Sequence, residues 1–250
     1  RGCVPNGLIV KELDDANKIS LGADIKNTFS LKKGKKIYVS QYIGDLDDPR
    51  NVQYQEQQIG EFKKLLEMDA SVINIDAHPG YANYNKNRNM IYHHHAHALS
   101  VMAENDLLGK DVFAVICDGT GYGDDGNVWG FELFKIGRDY KNYKRHAHLD
   151  YFLLPGGDVC SREIDRIAVS LCSEANLENI PNIDSKRKQL INNLISSKIN
   201  CYKCSSLGRL FDGVASICGI SNLSLYEAQA AMLLQKYAEK LKAQQVKVYV

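Results

Sequence analysis

Residues 91–123 read IYHHHAHALSVMAENDLLGKDVFAVICDGTGYG, and the reading of this stretch decides the fold. Its first half sets four histidines within five positions at the head of an amphipathic segment. Its second half, DVFAVICD, is an apolar run of strand length, rich in β-branched and aromatic residues and closed by Asp118 and glycines.

Residues four apart lie on one face of a helix with Cβ atoms roughly 5 to 6 Å apart, so His93 and His97 can share one metal ion. His94 points about 100° away and His95 further still, so at most one of these two can join that face. Ala98, Leu99, Val101 and Met102 fall where a buried face needs them, and the spacing predicts a helix from the histidines onward. Histidines that are solvated or hydrogen-bonded and bind nothing are the alternative. The i, i+4 pair beside an acidic strand end favours a metal, with Asp118 as the candidate third ligand. Gly119, Gly121 and Gly123 form an expected turn whose N–H groups can cradle an anion, although the same glycines also suit a plain hairpin. NVWGFELFKI then alternates as a return strand. The unit is a strand–turn–strand hairpin, and no GxxxxGK[ST] P-loop occurs anywhere in the chain.

The 250 residues are 44% apolar and 24% charged, an ordinary globular composition with enough chain for a sizeable core. Lys+Arg 31 against Asp+Glu 30 leaves no broad basic footprint, which argues against a nucleic-acid partner. The tract KKGKK at 32–36 reads as a solvated turn between strands. No apolar run approaches the ~18 residues of a membrane helix, and the start lacks a signal-peptide core, so the expected compartment is the cytoplasm and no membrane partner is expected. Seven cysteines suit that compartment as free thiols. Cys117 and Cys218 lie in apolar runs and read as small core residues, and CYKC at 201–204 has no second ligand pair to make a zinc site.

Along the chain, residues 1–18 read as an opening linker. From residue 19 to 108 a β-hairpin is followed by alternating helix and strand, including a helix over NVQYQEQQIGEFKKLLEMD with Val52, Ile59, Phe62, Leu65 and Leu66 on one stripe. The strand SVINID ends at Asp76, and NMIYHHH delivers the histidines. From 109 to 250 the pattern restarts with DVFAVICDGTGYG, NVWGFELFKI, HAHLDYFLL and a helical REIDRIAVSLCSEA. The fold class is α/β, with two related lobes.

The segments SLGADIKNTFSL, SQYIGDLDD, DAHPGY, HHHAHALSVMAEN, DGTGYGDDGNVWG, LPGGD, GRLFDGVAS and YEAQAA resemble, in order, the C-terminal domain of the hydrogenase-maturation carbamoyltransferases, the HypF family. The resemblance implies an actin-like, sugar-kinase-like ATPase fold with two ribonuclease-H-like lobes. It implies a reaction as well: a carbamoyl group, activated as carbamoyl-adenylate from carbamoyl phosphate and ATP, passes to the C-terminal cysteine of a partner protein for cyanide ligand synthesis. By position it assigns His93, His97 and Asp118 to the metal, and Gly119, Gly121, Gly123, Gly156, Gly157, Asp158 and Gly208 to glycine loops around the nucleotide. It also gives Asp212 and Glu227 to the sugar, and Lys26 to the phosphates or the carbamoyl group. Before the resemblance is considered, a helix cap is the lesser alternative for Asp212, while Arg162 and Glu163 read equally as a salt-bridged helix start or as site residues.

An imidazole pair with a carboxylate suits zinc or iron(II), whereas magnesium would arrive with the nucleotide. No Cys–His pairing stands out, so the attacking thiol is expected from the partner. The family's acylphosphatase-like, zinc-finger and adenylate-forming segments have no counterpart here, nor do its last glycine loop and metal-binding aspartate. The expectation is therefore a fragment or a shortened relative with an incomplete second lobe. A tRNA threonylcarbamoyl or small-molecule O-carbamoyl transferase, or a non-catalytic nucleotide-binding docking module, are the other readings.

Overall fold

The computed structural model describes residues 6–10, 13–177 and 182–240, so the end of the C-terminal stretch AMLLQKYAEKLKAQQVKVYV lies outside the described residues. The architecture is mixed α/β. Six strands, β1 (Leu8–Ile9), β2 (Lys18–Ser20), β3 (Ser30–Lys33), β4 (Lys36–Val39), β5 (Val72–Asp76) and β6 (Asn89–Ile91), make a sheet in the order β1-β4-β3-β2-β5-β6. β2, β3 and β4 are antiparallel neighbours, with Ile19 opposite Leu31, while β5 pairs parallel to β2 and β6 parallel to β5. β1, from the segment read as a linker, adds antiparallel to β4. The KKGKK turn is as expected, closing between Lys33 and Lys36. Lys32 is nonetheless buried, its ammonium bonded to the Asp14 carboxylate and to the Ala16 carbonyl.

Helix α1 (Pro49–Leu65) starts where Asp48 accepts the Arg50 N–H and Pro49 needs no donor partner. Its apolar stripe covers the sheet with Val52, Ile59, Phe62 and Leu66, whereas Leu65 is 63% exposed and falls off it; Phe62 meets Phe29 edge-on at 5.4 Å, among Ile19, Leu21, Leu31, Ile43, Leu46 and Ile75. One residue on the buried side of α1 is Gln55, 1% exposed.

Helix α2 (His93–Glu104) begins at the histidines. Its buried side is His94, His95, Ala98 and Met102, whereas Val101 is 56% exposed. Ala98 and Met102 lie on the expected face, which His94 and His95 extend through the first turn, while Val101 at its edge stays exposed.

Strand β7 (Val112–Tyr122) runs straight through DGTGY, and β8 (Val128–Ile136) returns after a turn at residues 123–127. Gly119 and Gly121 are thus strand residues, and the expected Gly119–Gly123 turn is corrected to one that begins at Gly123. Cys117 and Cys218 are exposed, against the expectation of core positions: along β7, Phe113, Val115 and Cys117 share the solvent side while Ile116 points inward.

β9 (Tyr143–His148) pairs with β8, and β10 (Phe152–Pro155) and β11 (Cys201–Cys204) complete the second sheet in the order β10-β11-β8-β7. Gly156 and Gly157 take positive φ, 114° and 61°, and lead into a 3-10 turn at Gly157–Ser161. Helices α3 (Asp165–Glu174), α4 (Ser185–Ser197), α5 (Leu207–Ile217) and α6 (Gln229–Lys240) follow.

The chain divides into two compact units. The first runs to Ile116 and adds Gly121–Asp124 and Leu133–His146; the second takes Cys117–Thr120, Asp125–Glu132 and the chain from Ala147. The first is centred on the Ile19–Phe29–Phe62 cluster, the second on clusters around Ile167, Val169 and Ala215.

Candidate metal and nucleotide sites

In the first unit, α2 opens without a side-chain cap, so its first turn is available for the histidines. The Nε2 atoms of His93 and His97 stand 3.1 Å apart. Two nitrogens bound to one tetrahedral ion at 2.0–2.1 Å would stand about 3.3 Å apart, so the pair fits a shared transition metal. Behind His93, the Asp76 carboxylate lies 3.4 Å from Nδ1 and also accepts the His78 N–H at 2.8 Å. That leaves His93 Nε2 facing its partner, the arrangement in which a carboxylate orients a metal-ligating imidazole. Sequence reading noted Asp76 only as a strand end. It lies 17 residues from His93, as the numbering gives, and no local pattern links the two.

His94 is fully buried, and His95 donates from Nε2 to the Tyr140 carbonyl at 3.1 Å, with burial pushing its pKa down. Neither belongs to the pair. Gly121 explains itself here: a Cβ on it would fall 2.5 Å from His94 Cε1 and 2.9 Å from His93 Cδ2. Its glycine gives the histidines room, which is a different task from cradling phosphate.

A cavity of about 360 Å³ opens beside the pair, lined by Gly22, Ala23, Asp76, His93, His97 and Ser100 among others. Lys26 lies on the same loop as Gly22 and Ala23, at φ 52°, its N–H donating to Asp45 Oδ1 at 2.7 Å. Asp24 accepts the Ala82 N–H at 2.8 Å, and burial raises its pKa against that bond.

In the second unit the backbone around Asp118 is crowded. Ser206, the N-cap of α5, accepts the Arg209 N–H at 3.1 Å and donates to the Gly119 carbonyl at 2.5 Å. A Cβ on Gly208 would lie 3.3 Å from the Gly119 Cα, so the glycine permits this approach of α5 to the strand. Asp212, 2% exposed, pairs with Arg209 at 2.8 Å, yet burial outweighs the guanidinium and holds its pKa up at about 6. It lies in the second turn of α5, so it is not the cap. Asp158 and Glu227 are exposed, in the 3-10 turn and ahead of α6. Glu163 takes Arg166 Nε at 2.6 Å and Arg187 Nη2 at 2.7 Å, in line with the salt-bridged one of the two readings for that position.

The profile of the HypF Kae1-like domain matches residues 14–104, and that of the second subdomain of the carbamoyltransferase Kae1-like domain matches residues 114–250. The chain belongs to the HypF family. It is 32% identical to the carbamoyltransferase HypF of Synechocystis sp., covering 94% of this chain and 34% of that protein. It is 30% identical to a HypF homolog of Cupriavidus necator, covering 90% and 60%. A crystal structure of full-length HypF in its phosphate- and nucleotide-bound form superposes with a TM-score of 0.87 at 37% identity, covering all of this chain and 40% of that one. HypF of T. kodakarensis gives 0.82 at 32% identity, covering 96% and 34%. The fold is accordingly the actin-like, sugar-kinase-like one of the HypF Kae1-like domain. The chain spans about a third of the length of most HypF relatives it matches. No helix among the described residues is long and apolar enough to cross a membrane.

Proposed function

We propose that this chain carries the site at which a carbamoyl group passes from carbamoyl-adenylate to the C-terminal cysteine of a hydrogenase-maturation partner, the carbamoyl-adenylate arising from carbamoyl phosphate and ATP. The observation that carries the reading is the His93–His97 pair at 3.1 Å, backed by Asp76 and open to a small cavity, in a chain whose relatives are carbamoyltransferases.

His93 and His97 would hold iron(II) or zinc. Asp118 is proposed as the third ligand: it lies three residues before Gly121 on β7, and three strand steps of about 3.3 Å keep it within about 10 Å of that glycine. A bound transition metal supplies Lewis acidity toward a carbonyl oxygen. Asp76 fixes the His93 ring so that Nε2, and not Nδ1, faces the cavity. Gly22, Ala23, Ala96 and Ser100 carry small side chains or none, which leaves room beside the pair for a carbamoyl group of three heavy atoms. Lys26 would offer its ammonium to the phosphate end of the adenylate, with magnesium accompanying the nucleotide. In the transfer the partner's thiolate sulfur bonds to the carbamoyl carbon. The carbon–oxygen bond to phosphate then breaks, and AMP leaves with the electron pair. Gly156, Gly157, Asp158, Gly208, Asp212 and Glu227 are proposed to surround the nucleotide, with Asp212 toward the sugar.

The test supplies carbamoyl-adenylate and a cysteine-ended peptide to the metal-loaded chain and weighs the peptide by mass spectrometry. A carbamoylated peptide is expected from wild type and from Cys201→Ala. His97→Ala should lose the metal and slow transfer by two orders of magnitude or more, about 3 kcal/mol. An unmodified peptide from metal-loaded wild type would overturn the reading.

A further inference from the structure

Gln55 sits on the core side of α1, where the helix repeat asks for an apolar residue, and it is 1% exposed. Burying an amide there costs free energy unless each of its groups is bonded, and Gln55 is bonded on both sides. Its Nε2 donates to Asn27 Oδ1 at 2.8 Å and to the Leu21 carbonyl at 3.1 Å, while its Oε1 accepts from Asn83 Nδ2 at 3.0 Å. Asn27, also 1% exposed, in turn donates to the Leu21 carbonyl at 2.8 Å and the Ala23 carbonyl at 2.7 Å. Three side-chain amides thus run in one direction, from Asn83 to Gln55 to Asn27, and end on the backbone of the loop between β2 and β3.

That loop bears on the proposed site in two ways. Gly22 and Ala23 form one wall of the cavity beside His93 and His97. Lys26, one residue before Asn27, takes a left-handed conformation uncommon for a residue with a Cβ. We propose that Gln55 is a positioning residue: acting through Asn27, it fixes the Leu21–Lys26 loop, and so sets the cavity wall and the place of the Lys26 ammonium. This rests on the reading of the site given above for its catalytic consequence, but not for the clamp itself.

Hydrogen exchange tests the clamp without any reaction. In Gln55→Met, which keeps the volume and removes the bonds, the amides of Lys26 and Asn27 should exchange at least about tenfold faster. Those of the middle of α1 and of β2 and β3 should keep their protection. Gln55→Glu keeps the acceptor for Asn83 and loses the donors, so it should loosen the same amides even where the Met variant fails to fold. Uniform acceleration across the first unit, or none in the loop, would overturn the proposal. Turnover of supplied carbamoyl-adenylate then reads the role: Gln55→Glu should lower kcat about tenfold with KM within about twofold, and the loss should shrink markedly in a Lys26→Met background, which removes the ammonium but leaves the cavity wall. Additive losses would mean that Gln55 acts by general stability alone. Absent turnover in wild type would count against the proposed function, while the exchange result would still decide the clamp.

Discussion

At His93 the two ring nitrogens have separate tasks, and Asp76 enforces the division. With Nδ1 facing the Asp76 carboxylate at 3.4 Å and Nε2 facing His97 at 3.1 Å, the ring cannot rotate to offer the other nitrogen without giving up a charge-assisted contact. Replacing Asp76 by asparagine keeps the shape and removes the charge, so Asp76→Asn should weaken metal binding about 10- to 100-fold. Competition against a chelator of known affinity measures it, and unchanged affinity would show that Asp76 only supports the His78 turn. The histidine pair was legible in the sequence because helical spacing is local. Asp76 and Gln55 were not, since each acts on a residue brought near by sheet pairing and helix packing, and neither leaves a mark in the residues around it. Cys117 was misread for a related reason: an apolar run does not say which of a strand's two sides meets the core.

Among the elements, α4 is tied to the start of α3 by one forked side chain. Arg187 reaches both Asp165 oxygens, at 2.7 and 3.0 Å, and Glu163 at 2.7 Å, and these carboxylates hold its pKa well above the usual arginine value. The same Glu163 binds Arg166, whose other arm donates to the Pro155 carbonyl at 3.1 Å, the residue before Gly156. Arg187→Met should cost about 2 to 3 kcal/mol, because Asp165 would remain buried with its charge unpaired. The figure is below that of a fully buried pair because the Arg187 side chain keeps 29% exposure. Urea unfolding measures it, and Arg187→Lys should recover only part, since an ammonium lacks the fork. The elements themselves, α1, α2, β5 and β8 above all, could be read from period and caps. β7 was cut short in the reading because glycines usually end strands, and here they let histidines and α5 approach one.

For the whole molecule, the carboxylates set opposite trends with pH. Asp212 is buried and its pKa is raised to about 6, so the folded state holds its proton more tightly than the unfolded chain does. Its contribution is complete below about pH 4 and is lost as the pH rises through 6, up to about 3 kcal/mol. At Asp125 burial pushes the pKa up, but hydrogen bonds from Tyr151, Asn127 and Trp129 outweigh it and hold the carboxyl down at about 2. Its contribution is present above pH 4 and is lost as the pH falls through 2. Metal-free stability should therefore decline between pH 4 and 6, and Asp212→Asn should flatten that decline; an unchanged slope would assign it to other groups.

The division of β7 and β8 between the two units has a consequence for the order of events on the ribosome. The first unit takes its last segment from Leu133–His146, so it cannot close until residue 146 has left the exit tunnel, at least about 7 to 30 s into synthesis of this segment at 5 to 20 residues per second. The six-stranded sheet needs nothing beyond Ile91. All six strands of that sheet are thus available before the hairpin that completes the surroundings of α2, and a slow codon cluster after residue 146 would give the first unit time to finish before the second begins.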